Sequence, residues 1–154
     1  MNVSSASTTT ATSTDTVASS RWSLLRVGAL AGVAAAVATE LVAAVARVSD
    51  VSMEAGGFGA DTSEPIPVGG FAFATLLWTA VGIVMAVAMT RWAKRPARTF
   101  TVTAVVLTIV SLVPPALAGS TTTGTKVILA LTHVVAAALV VPAIRYELTK
   151  WESR

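Results

Sequence analysis

Between Val27 and Val48 the chain reads VGALAGVAAAVATELVAAVARV, apolar almost without a break, with one carboxylate, Glu40, well inside its limits. A helix needs about 20 such residues to cross the hydrocarbon core of a bilayer, and this run has no turn residues to break it. An ionisable side chain at mid-membrane costs about 2.5–3.5 kcal/mol to insert. Glu40 must therefore be paired or put to use. The rest of the sequence supplies what surrounds that carboxylate.

Composition supports the same class of molecule. Of 154 residues, 54% are hydrophobic and only 12% charged, where a soluble domain carries about 25% charged residues. Four spans with short connections fill this length and leave no room for a separate soluble domain. The net charge of +3 does not point to nucleic acid, because the basic residues sit at span ends and form no face interleaved with aromatics. The chain has no cysteine, which excludes disulfides, thiolate metal sites and cysteine-linked lipid anchors.

The expected organisation is all-α: an integral membrane four-helix up-down bundle with a disordered N-terminal tail. Residues 1–21 are rich in Ser and Thr, and too poor in apolar groups to offset chain entropy. Residues 22–148 form the membrane domain, with spans at 27–48, 68–90, 99–118 and 127–144, and residues 149–154 the C-terminal tail; the whole stretch RYELTKWESR after the fourth span reads as polar and as the frayed end of a helix. The first apolar run is longer than a signal-peptide core and three more follow, so it is expected to remain uncleaved. Placing the N-terminus inside puts Arg21, Arg26, Arg91, Lys94, Arg95, Arg98, Arg145, Lys150 and Arg154 on the inner side and only Arg47 and Lys126 on the outer. That bias of nine to two predicts a multi-pass protein of the plasma (inner) membrane with both termini cytoplasmic.

At about 1.5 Å per residue, Glu40, Thr75, Ser111 and His133 all fall about 9–12 Å below the outer boundary, one from each span. Pro114 and Pro115 deprive the carbonyls of Val110 and Ser111 of helical partners at the same level. Gly28, Gly32, Ala36, Glu40 and Ala44 recur every four positions, a ridge of small residues for a neighbouring helix of this chain or of a second copy. Arg47 lies on roughly the Glu40 face.

These groups suggest a polar layer in which Glu40 and His133 are the candidate acid–base pair. Arg47, Thr75, Trp78, Ser111 and Pro115 are candidate ligand contacts. Each has a plainer reading: Glu40 paired to His133 or Arg47 only to fix helix register, the histidine packed, Thr75 and Ser111 bonded to their own helices, and Trp78 packed. The acids of the first outer loop, Asp50, Glu54, Asp61 and Glu64, lack the spacing of a calcium loop. No metal site, phosphate loop or nucleophile elbow is present in the sequence, and no cofactor is expected.

The stretches ILALTHVVAAALVVPAIRYEL and SLVPPALAG, with the arginine-rich RWAKRPAR loop, resemble a family of small four-span proteins of unknown function in high-GC actinobacteria. The likeness covers about residues 22–148 and rests on His133, Pro142 and Ser111 to Pro115. It implies the architecture and no activity. Glu40 departs from that pattern, which more often has an amide or other polar residue there. Three functions remain open on the residues alone. One is a binding or transport unit using the Glu/His layer. Another is an acid–base isomerase or cyclase acting on a lipophilic terpenoid or polyketide. The third is a structural or accessory subunit. Membrane lipids are the expected partners, with a lipophilic small molecule and a second copy as further candidates.

Overall fold

A computed structural model describes the backbone of residues 11–153, and side chains from residue 21. The elements in order are α1 (Ala11–Val48), β1 (Glu54–Ala55), β2 (Glu64–Pro65), α2 (Gly70–Trp92), α3 (Pro96–Ser111), α4 (Val113–Leu117) and α5 (Thr123–Glu152). Four segments, 21–48, 70–92, 96–117 and 123–152, are long and apolar enough to cross a membrane. The protein is an all-α membrane four-helix bundle, with α1 packed between α2 and α5, and α3 against α5.

Residues 1–10 of the expected disordered tail lie outside the described residues. From Ala11 the backbone is already helical, ahead of the expected start near 22. Once a helix is nucleated, each further residue adds a hydrogen bond without needing a packing partner. At the other terminus α5 continues to Glu152, through the residues expected to fray. Ile144 and Leu148 there are fully buried and anchor it.

The side of α1 that packs inward follows Leu24, Gly28, Gly32, Ala35, Thr39, Ala43 and Ala46, all buried. Steps of three and four along this stripe average close to the helical repeat, so one face stays turned to its partners. The expected every-four ridge holds through Glu40, partly buried against the start of α2, and fails at Ala44, which is exposed. A step of four residues overshoots one turn by about 40°, so a strict ridge of that kind winds off the contact. Where it holds, the helices come close. A Cβ on Gly32 would stand 2.7 Å from Cγ2 of Thr79, and one on Gly28 would stand 2.7 Å from Cγ1 of Ile83.

Two apolar clusters fill the bundle. One, near the basic end, joins Leu24, Ala86, Phe100, Ile144 and Leu148. The other joins Ala43, Ala46, Met53 and Phe71, with Val51 and Ile66 against it. The outward faces are also apolar: Leu30 is 71% exposed and Val84 69%. That pattern suits a lipid surround, not water.

The first connection is more ordered than its composition implies. After α1, Asp50 takes a left-handed conformation (φ 57) and the Val51 N–H returns to the Ala46 carbonyl, a Schellman-type stop. The chain then forms the small antiparallel pair of β1 and β2, with Glu54 opposite Pro65. This ribbon docks on the α4–α5 turn. A Cβ on Gly119 would lie 2.2 Å from the Ala60 carbonyl oxygen, so only glycine fits there. The buried Thr125 hydroxyl donates to the carbonyl of Ser52. The loop's apolar side chains, Met53 and Ile66, thus fold back onto the bundle instead of projecting from it.

Candidate functional site

α2 begins at Gly70, after an N-cap glycine (Gly69, φ 85) that offers no side chain to cap the helix. The first N–H groups of a helix have no partners within it, and in an apolar surround each one left bare is costly. Glu40 supplies what is missing. Its Oε1 accepts from the Gly69 N–H at 2.9 Å, and its Oε2 accepts from the Ala72 N–H at 3.2 Å. In a capping box two residues of the same helix divide these tasks, one serving the N-cap N–H and the other the N3 N–H. Here one glutamate from the neighbouring helix performs both. Its negative charge also lies at the positive end of the α2 dipole.

Arg47 completes the cluster. Nη1 donates to Glu40 Oε1 at 3.1 Å, and both side chains are 22% exposed. Nη2 reaches the carbonyls of Ile66 at 3.4 Å and Pro67 at 3.2 Å. The seven-residue spacing of the pair puts both side chains on one face of α1. One ion pair therefore satisfies both the carbonyls that end the loop and the N–H groups that start α2. Irregular backbone beside a membrane helix needs such compensation.

The other expected site residues do not join this cluster. The Nδ1–H of His133 donates to the Leu129 carbonyl of its own helix at 2.6 Å, and no hydrogen bond or ion pair among the described residues links it to Glu40. The Ser111 hydroxyl donates to the Thr108 carbonyl, also on its own helix, at 2.7 Å. Thr75 does cross between helices, sharing a hydrogen bond of 3.1 Å with the buried Thr39. Trp78 is 70% exposed on the outer surface of α2, so it lines no interior space. The proline pair breaks the third span at Leu112 and buries only Pro115, leaving Pro114 exposed. Similar depth does not imply contact. The 3.6-residue repeat sets each side chain's direction, and two of the four groups point where a carbonyl of the preceding turn can hold them.

The residues that sequence reasoning missed are at the opposite end. Glu147 is 7% exposed. It accepts from the Ser23 hydroxyl of α1 at 2.7 Å and forms an ion pair with Lys150 at 3.1 Å. Glu152 accepts from the Ala97 N–H at 2.8 Å, in the first turn of α3, whose N-cap Arg95 makes no side-chain cap. The available signal was spacing: Ile144, Glu147 and Leu148 form one helical face of a segment that looked like polar tail.

The arrangement is suited to holding helix ends together. Two surface grooves lie at the basic end, one beside Trp22 and Arg26 and the other between α2 and α3. Neither is lined by Glu40 or His133. No group of three or more His, Cys, Asp or Glu placed to hold a metal ion occurs among the described residues. In comparisons with known proteins, no curated protein and no solved structure matches the chain. A family model does match, over residues 19–150. That span covers most of the sequence, and the chain belongs to the family of unknown function DUF6069.

Proposed function

We propose that this protein is a structural or accessory membrane subunit, and that its intramembrane polar groups hold the fold in register without carrying a reaction or a cargo. The observation behind this reading is that both carboxylate oxygens of Glu40 are engaged by structural partners. Oε1 accepts from Arg47 and Gly69, and Oε2 accepts from Ala72. Protonating Glu40 would weaken the hydrogen bonds that start α2 and its pairing with Arg47. A general acid or a proton-coupling site needs the opposite: a group whose two protonation states are both accessible during turnover. In this reading the basic end faces the cytoplasm and the β1–β2 loop faces out, as the nine-to-two charge bias requires.

The test uses purified protein in proteoliposomes with a pH-sensitive dye inside, comparing wild type with Glu40→Gln and His133→Ala. The expected result is no proton flux from any of the three, with lower thermal stability for Glu40→Gln. A proton flux in wild type that Glu40→Gln abolishes at unchanged melting temperature would overturn the proposal in favour of transport.

A further inference from the structure

At the end of the bundle away from Glu40, an open groove of about 790 Å³ lies between α2 and α3. The connection between them is short and extended at Ala93 (ψ 136), and Pro96 opens α3. Because α2 packs chiefly on α1 and α3 on α5, the two flank a gap at their shared end. Met85, Ala88 and Met89 form its wall, and Lys94, Arg95 and Arg98 form its rim. Trp92, also lining it, is 82% exposed, as befits a tryptophan at headgroup level.

The three rim cations form no ion pair with a carboxylate among the described residues. Among the described residues the ion pairs are Arg47 with Glu40 and Lys150 with Glu147. Glu152, which reaches the start of α3, is engaged with the Ala97 N–H. Three positive charges, offset nearby only in part by the Glu152 carboxylate at the Ala97 N–H, thus give an apolar trough a net positive border. We propose that this groove is a binding site for one anionic phospholipid, its phosphate among Lys94, Arg95 and Arg98 and an acyl chain along Met85, Ala88 and Met89. A soluble anion would make no use of the apolar wall, and a zwitterionic lipid brings no net charge to balance the rim. Basic pockets between spanning helices suit anionic headgroups, and flexible methionines conform to an irregular chain. From Met85 to Trp92 is about 10 Å of helix, the length of the upper part of an acyl chain. The inference goes beyond the structural role proposed above and does not depend on it.

Native mass spectrometry of full-length protein, exchanged into micelles with equal phosphatidylglycerol and phosphatidylcholine, tests it. Wild type should retain phosphatidylglycerol in preference, and inorganic phosphate at millimolar concentration should not displace it. Neutralising the rim (Lys94→Gln, Arg95→Gln, Arg98→Gln) should weaken retention by about fivefold or more per cation. Ala88→Trp, which fills the wall and leaves every charge in place, should also reduce it. Arg21→Gln with Arg26→Gln removes charge elsewhere at the same end and should change it little. Equal loss from that control pair, unchanged retention in Ala88→Trp, or displacement by phosphate would each overturn the groove as a lipid site. If the rim variant fails to insert, Ala88→Trp decides alone.

Discussion

Two of the spanning helices, α2 and α3, start without a capping side chain of their own, and each takes a glutamate from another helix. At the end that carries the β1–β2 loop, Glu40 of α1 caps α2; at the basic end, Glu152 of α5 caps α3. The chemistry is the same but the surroundings are not. Glu40 lies inside an apolar run, binds two N–H groups and pairs with an arginine that itself holds two carbonyls. Glu152 is exposed at the chain end and makes a single backbone contact. Where water can replace a lost partner a cap is a modest gain, and where it cannot the cap becomes a condition for the fold.

The comparison predicts its largest effect at Glu40. Glu40→Ala strips two N–H groups at the start of α2 and leaves Arg47 without its anion, so it should destabilise by about 3 kcal/mol. Unfolding in micelles, by heat or by denaturing detergent, measures this. A loss no greater than that of Glu152→Ala would erase the distinction between the two ends.

Glu147 sharpens the contrast because it combines burial with the basic end. Glu147→Ala leaves the Ser23 hydroxyl without its acceptor and should cost about 2 kcal/mol by the same assay. Ser23→Ala, which removes both a donor and its need for a partner, should cost less. If Glu147→Ala proves silent, burial at that end carries less weight than supposed.

The third effect is a coupling. A double-mutant cycle of Glu40→Gln and Arg47→Gln should give about 1–2 kcal/mol of interaction, since the two are bonded at 3.1 Å and share one loop. Glu40 paired with His133→Ala in the same kind of cycle should give no more than about 0.5 kcal/mol, as expected for independent sites.

These contrasts also show what could be read from the residues alone. The four spans and Glu40 were legible because an apolar run of bilayer length admits few structures, and a charge inside it stands out. The Arg47 partnership was legible as one of two options, because a seven-residue step repeats a helical face. That Glu40 and His133 make no contact was not derivable: equal depth fixes one coordinate, and the rotation of each helix depends on packing. His133 and Ser111 settle on carbonyls of their own helices. The cap on α2 was hidden too, because helix starts are usually capped by a side chain nearby in sequence. Glu147 and Glu152 went unread for the opposite reason. A carboxylate in a polar tail looks solvated until the helix that carries it is known to be packed through Leu148.

The smallest effect tests the other half of the comparison. Glu152→Ala removes one exposed cap and should cost about 0.5–1 kcal/mol, the range of ordinary N-cap losses. Part of that comes from the carboxylate facing the positive end of the α3 dipole, so the cost should shrink as salt is raised. Glu152→Gln keeps an acceptor but no charge and should recover the remainder. For Glu40→Ala the cost should hold nearly constant over the same salt range, because its partners are N–H groups and a guanidinium largely shielded from the solution. Salt series on the two alanine variants, run side by side, therefore separate a cap that water and ions can replace from one that they cannot.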